Sequence, residues 1–211
     1  MRLLKNLDNK CFFLSDVFPD DILNNILSDI ANRDPIELSV RLSYHNSEKN
    51  IQKKKEELSE SDLSALTSNI NDDRIFQKHY FYSCTHTEDP IIKSHYLKAL
   101  EMIYGHRKVL IESEASFKYG SGHFMDMHRD GSSDRLCTTV LYLNSMTDYC
   151  QGGEIVFYKD NLKNDVIEVY RPERGCLIVF DSLGHPGMQH SVNKINNWDR
   201  YVHRVYWKMV S

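Results

Sequence analysis

The sequence lacks the usual marks of a secreted, membrane-bound or nucleic-acid-coating protein. Its five cysteines, Cys11, Cys84, Cys137, Cys150 and Cys176, form no CxxC pair. An odd count without that spacing argues against a disulfide framework and against a structural zinc site, and a reducing cytoplasm is the expected compartment. The opening stretch MRLLKNLDNKCFFLSDVF has no long apolar run before charge returns, so neither a signal peptide nor a membrane span is expected. Positive charge is in slight deficit. Lysine and arginine number 26 against 30 acidic residues, for a net charge of −4 and a pI near 6.2. No broad cationic surface follows, which disfavours a nucleic-acid partner. The run Lys53-Lys54-Lys55 meets Glu56-Glu57 at once and reads as a solvated helix face. There are no internal repeats.

A chain of 211 residues is long enough for one full core, so a single domain over 1–211 is expected. Phe12-Phe13-Leu14 reads as a short opening strand. Residues 15–21 look like a helix start with polar caps and acids in the first turn, and Ile22, Ile26, Leu27 and Ile30 continue at helical spacing, with Pro35 beyond the end. Residues 45–74 are rich in Lys, Glu, Ser, Asn and Asp. Leu58, Leu63, Leu66 and Ile70 suggest a partly amphipathic helix there, and 45–57 reads as a surface insertion or, more sharply, as a lid. The stretch 76–84 is aromatic and partly alternating, as in a strand. Asp89-Pro90 opens a helix to about Ile103, with Ile92, Tyr96, Leu97, Leu100 and Ile103 on one face.

From Glu112 the character changes. Short β-type runs follow at 112–119, 123–128, 136–143, 154–158, 166–170, 175–180, 189–193 and 200–209, punctuated by Gly, Asn and Asp. Helices first and closely spaced strands later predict an α+β protein. Its core would be a double-stranded β-helix (jelly-roll) over 112–211, with helical support over 1–111 packed on one sheet.

Within FKYGSGHFMDMHRDG, His128 and Asp130 stand two residues apart and can point the same way from an extended strand. With a third ligand far along the chain they would make a two-histidine, one-carboxylate face on a metal, the ligand set of non-haem Fe(II) oxygenases. His190 is the candidate, with His185 as its rival. Other readings compete. The stretch from Asp126 resembles the first half of an EF-hand loop, but the position that needs a bidentate Glu is Cys137. A zinc hydrolase would use the same ligand types.

Residues 112–209 resemble the 2-oxoglutarate- and Fe(II)-dependent dioxygenases, in their prolyl 4-hydroxylase-like branch. The matching features occur in order. Tyr119 and Gly122 lead into His128 and Asp130, and TTVLYLN follows with Tyr142. Then come Gly152-Gly153-Glu154, the lead-in Pro172-Glu173-Arg174-Gly175, an apolar strand ending Phe180-Asp181-Ser182, His190-Ser191-Val192, and Arg200.

The resemblance implies Fe(II) held by His128, Asp130 and His190, with 2-oxoglutarate and O2 as cosubstrates and ascorbate as an accessory. The distal carboxylate of 2-oxoglutarate needs a fork-shaped cation, which the resemblance places at Arg200, with hydroxyl donors from Tyr142 and Tyr119. Arg204, on the same side of the strand, is the rival for that carboxylate or for a substrate carboxylate. His185 reads as a loop residue, His123 as structural and Glu154 as support for its turn. Asp130 stands where related halogenases have a small residue, which favours hydroxylation of an unactivated C–H bond. The implied substrate is a prolyl residue or another amino acid or peptide. An oxygenase acting on a small metabolite or nucleic acid, or a jelly-roll serving as a non-catalytic binding module, are the alternatives.

Overall fold

The structure is a computed structural model that describes residues 1–33, 37–44, 59–60, 74–82, 84–130, 134–159, 165–182 and 188–210. The expected helix within 58–70 and the proposed lid at 45–57 lie outside these residues, except for 59–60, as does His185. Twelve strands and two α-helices are described. In chain order they are β1 (Arg2–Leu7), β2 (Cys11–Ser15), α1 (Asp20–Ala31), β3 (Glu37–Tyr44), β4 (Arg74–Tyr82), α2 (Pro90–Tyr104), β5 (Val109–Tyr119), β6 (Phe124–His128), β7 (Arg135–Tyr142), β8 (Ile155–Tyr158), β9 (Val166–Tyr170), β10 (Leu177–Asp181), β11 (Gln189–Val192) and β12 (Arg200–Met209). Among the described residues, the first 111 thus hold four whole strands and the start of β5 as well as both α-helices. No helix among the described residues is long and apolar enough to cross a membrane.

All the strand pairings are antiparallel, in the order β1-β2-β10-β7-β12-β5-β4-β6-β11-β8-β9, with β3 paired to β4. Side chains on successive strand residues point to opposite faces, and the sequence uses both. Phe13 on β2, Ala115, Phe117 and Tyr119 on β5, Val140 and Tyr142 on β7, Ile178 and Phe180 on β10, and Val202 on β12 share one core with Ile155, Phe157 and Val192 of β8 and β11. Their neighbours Leu14, Leu141, Leu177, Val179, Val205 and Trp207 share a second core with Leu23, Ile26 and Ile30 of α1 and Ile92, Tyr96, Ala99 and Leu100 of α2. The long central strands are therefore buried on both sides, which is why they read as apolar runs and not as simple alternation.

The helix ends differ from each other. At α2, Asp89 is the N-cap: its carboxylate accepts from the Ile91 N–H at 2.7 Å, and Pro90 follows in the first turn. The polar cap expected at α1 does not form. Pro19 occupies the N-cap with no side-chain hydrogen bond, and Ser15 closes β2 instead. Only the acids Asp20 and Asp21 in the first turn match the expectation; they favour that end through the helix dipole.

Candidate metal centre

Strands β6 and β11 pair so that His128 and His190 are direct cross-strand partners. Their rings stand side by side, with centroids 4.2 Å apart. Asp130 follows two residues after His128. Its Oδ1 lies 3.5 Å from His128 Nε2 and its Oδ2 lies 3.8 Å from His190 Nε2. The three ligand-type atoms fall within 4.8 Å of one another. The structure therefore brings His128, Asp130 and His190 to one point.

The other ring nitrogens decide what the imidazoles can do. His128 Nδ1 is 2.8 Å from the Asp126 carbonyl, and His190 Nδ1 is 3.0 Å from the Met188 carbonyl. A carbonyl only accepts, so each Nδ1 carries the proton and donates it. Each Nε2 is then the nitrogen left facing Asp130. Pinning a ring in this tautomer is how proteins orient histidine for a metal. Burial pushes the His190 pKa down to about 4, helped by His128, so its imidazole is neutral at pH 7. Burial opposes the charge on Asp130, but His128, His190 and Arg204 outweigh it and hold the carboxyl far below its usual range.

Asp130 is steadied from a strand that the sequence reading did not connect to it. Tyr206 on β12 donates its hydroxyl to Asp130 Oδ1 at 2.9 Å. The Tyr206 ring lies between two guanidinium groups, with the Arg135 Cζ 3.6 Å and the Arg204 Cζ 3.9 Å from its centroid. Arg135 in turn holds Glu112 through two N–H groups and donates to the Asp130 carbonyl. Tyr206 was findable, since Arg200, Val202, Arg204 and Tyr206 share one face of a regular strand. Arg135 carries no such sequence signal.

Arg200 opens β12 opposite Tyr119 of β5 and is 2% exposed. One terminal N–H donates to the Tyr142 hydroxyl at 3.1 Å, while Nε and Nη1 are buried without a hydrogen-bond partner among the described residues. The guanidinium stands over the Tyr119 ring at 4.7 Å and near the Tyr142 ring at 5.1 Å. Arg200, Tyr142 and Tyr119 are thus one group. Two unused, buried donors on a permanent cation are costly unless an anion takes them up, and a carboxylate suits a guanidinium fork. Arg204 sits closer to Asp130, over Phe117 at 4.8 Å, with its own Nε unpartnered. The donor set fits both expected groups: a divalent metal at the two Nε2 atoms and Asp130, and a dicarboxylate reaching towards Arg200.

The remaining residues hold this frame. His123 Nδ1 accepts from the Gly120 N–H, within a turn tied to Ile195. Glu154 accepts from the Asn193 side chain just after β11. Beside it Gly152 has φ +73, and a Cβ there would lie 1.7 Å from the Lys194 carbonyl oxygen, so only glycine fits.

Comparison with solved structures finds the same fold at low identity. A viral collagen prolyl hydroxylase from Paramecium bursaria Chlorella virus-1, solved with 2-oxoglutarate, superposes with a TM-score of 0.61 at 14% identity, covering 95% of this chain and 97% of its own. HygX from Streptomyces hygroscopicus, with nickel, 2-oxoglutarate and hygromycin B bound, has a TM-score of 0.60 at 8% identity, covering 96% and 84%. A prolyl hydroxylase from Trichoplax adhaerens, in complex with a hypoxia-inducible-factor peptide fragment, has a TM-score of 0.59 at 14% identity, covering 95% and 84%. No curated protein matches the sequence. Residues 115–208 match the family model of the 2OG-Fe(II) oxygenase superfamily. They span β12, β6 and β11 and so take in every residue grouped above except Glu112. Over these residues the chain is similar to the 2OG-Fe(II) oxygenases, dioxygenases whose cofactors are Fe(II), 2-oxoglutarate and O2.

Proposed function

We propose that the protein hydroxylates an unactivated C–H bond of a prolyl residue or another amino acid or peptide. His128, Asp130 and His190 would hold Fe(II), and Arg200 would hold the distal carboxylate of 2-oxoglutarate with Tyr142 and Tyr119 around it. The observation that carries this reading is the pair of unpartnered, buried N–H groups on Arg200, on the same core face as a histidine pair whose free nitrogens converge on a carboxylate. When bound, the metal with O2 and 2-oxoglutarate supplies the oxidising power for the C–H bond. The protein's own residues do the positioning. Two backbone carbonyls fix the imidazoles, Tyr206 fixes the carboxylate, and Arg200 sets the depth and direction of the cosubstrate. The intact carboxylate at 130 supports hydroxylation over halogenation.

The substrate class rests on the neighbours. Two are described as prolyl hydroxylases, one with a peptide fragment bound, which supports the peptide reading. HygX with hygromycin B supports a small metabolite as the second reading. We read the architecture as a double-stranded β-helix with α1 and α2 on one sheet, supported by the two alternating cores, and the whole of 1–211 as one domain. Five cysteines outside any disulfide, four of them buried, support a reducing, cytoplasmic setting. The test is succinate formation with Fe(II) and 2-oxoglutarate across amino acids, proline-containing peptides and small metabolites. Mass spectrometry would look for the gain of one oxygen atom. Oxygen gain on a peptide or amino acid is the expected result. Gain only on a metabolite selects the second reading, and neither succinate nor product with any of them overturns the proposal.

A further inference from the structure

A second cluster of ligand-type side chains lies on the opposite face of β12. In the β5–β12 register His203 faces Ser116, and Val205 faces Glu114, so His203 and Glu114 are diagonal neighbours. Cys84 joins them from the loop before α2, its Sγ 3.5 Å from the Ser116 hydroxyl. The thiol sulfur, carboxylate oxygen and imidazole nitrogen all lie within 4.8 Å of one another, the same limit that His128, Asp130 and His190 meet. His203 is fully buried, Cys84 is 7% exposed, and the Glu114 side chain is 8% exposed.

Two further observations point to a missing cation. First, His203 Nδ1 is engaged by the Tyr96 hydroxyl at 2.7 Å, but its Nε2 is buried with no hydrogen bond and looks at Glu114 Oε2 from 3.6 Å. Second, Glu114 Oε2 accepts from the Thr87 N–H at 3.1 Å and from the Thr87 hydroxyl. Among the described residues no lysine or arginine nitrogen lies within ion-pair distance of it. A carboxylate in such a place is costly without a counter-charge. His86 stands edge-on to His203, with centroids 5.2 Å apart, but its Nε2 faces Asp29 Oδ2 at 3.6 Å, so it lies beside the cluster and not in it.

We infer that Cys84, Glu114 and His203 form a second metal site that takes a borderline-soft divalent cation of the Zn(II) type. Thiolate, carboxylate and imidazole are all zinc ligands. Bonds of about 2.0–2.3 Å at tetrahedral angles put ligand atoms roughly 3.4–3.6 Å apart, so side-chain shifts on the order of 1 Å close the site. One thiolate and one carboxylate neutralise a dication, which suits a buried position. The sulfur selects against hard cations such as magnesium and calcium. Metal binding releases the thiol proton to solvent, and the fourth position is left to water. The lack of CxxC spacing does not bear on this set, because its ligands come from three separate elements. Its role is structural: it ties β5 and β12 to the loop that leads into α2.

Titrating the metal-free full chain with Co(II), which replaces zinc and reports on sulfur, tests this. Wild type should bind two equivalents and show a near-ultraviolet thiolate-to-cobalt charge-transfer band. The band should survive His128→Ala, and likewise Cys150→Ser, which removes the most accessible thiol. Cys84→Ser should abolish it and lower the stoichiometry by one. If Cys84→Ser fails to fold, wild type and His128→Ala still decide, since a thiolate band that survives loss of His128 is required. No thiolate band in wild type, or a band that persists in folded Cys84→Ser, overturns the site.

Discussion

Strand β12 separates two histidine–carboxylate neighbourhoods that meet the same distance limit and differ in almost everything else. On one face stand Arg200, Arg204 and Tyr206, beside the pair His128–His190 and Asp130. On the other stands His203, beside Glu114 and Cys84 and under Tyr96 of α2. The first carboxylate has a hydroxyl donor and arginines around it; the second has Thr87 and the His203 imidazole. The first face also keeps buried cationic donors on Arg200 and Arg204 that have no hydrogen-bond partner among the described residues. Among the described residues the second has no such donor, and it lies beside Tyr96 of α2. Proximity of histidine and carboxylate is thus shared by both. Spare positive charge beside the cluster is what sets the first apart, and the proposed binding of an anionic cosubstrate rests on it.

The widest gap between the two faces should appear when the first loses a ligand. His128→Ala, Asp130→Ala or His190→Ala should each abolish Fe(II)-dependent succinate formation. Wild-type metal content and turnover in all three would dissolve the comparison.

Next in size is Arg200→Ala. Losing a buried, charge-assisted contact to a carboxylate costs about 2–5 kcal/mol, so the 2-oxoglutarate concentration needed for half-maximal turnover should rise steeply. Arg204→Ala should raise it much less, and the reverse order would exchange their roles. A smaller effect is expected from Tyr206→Phe. It removes one hydrogen bond to Asp130, and the loss of such an outer partner typically weakens metal affinity about 10–100-fold. Fe(II) titration of activity reads this directly, and an unchanged requirement would show that Asp130 is held without it.

On the other face, Tyr96→Phe strips His203 Nδ1 of its partner in a fully buried place. It should cost about 1–3 kcal/mol of stability in denaturant unfolding and leave the 2-oxoglutarate requirement alone. A shifted requirement there would mean that the two faces communicate.

Much of this was legible beforehand, for a physical reason. From Glu112 onward the strands are short and apolar and are cut by Gly, Asn and Asp, so their limits can be read to within about three residues. β1 escaped notice because Arg2-Leu3-Leu4-Lys5-Asn6-Leu7 is an exposed edge with no apolar alternation. β3 was overlooked for a weaker reason, since Leu38, Val40, Leu42 and Tyr44 do alternate. Of the first cluster, His128 and Asp130 announce themselves by spacing along one strand, and His190 by its place in the order of motifs. The Tyr206 contact depends on how β12 lies against the turn after β6, which a linear reading does not show. The second cluster was invisible for the same reason in stronger form: Cys84, Glu114 and His203 share no local pattern, and only the register of β5 with β12 brings two of them together.

The pairing of His128 with His190 has a mechanical consequence. β6 and β11 are short, at five and four residues, and their union closes a long excursion of the chain that includes β7 to β10. A cation gripped by both histidines would act as a removable cross-link across that loop. Such clips take most of their effect from the loose chain they restrain. The metal-free protein should therefore open first along the β6–β11 seam, and the cofactor would serve as a fastener of the sheet before it serves any reaction.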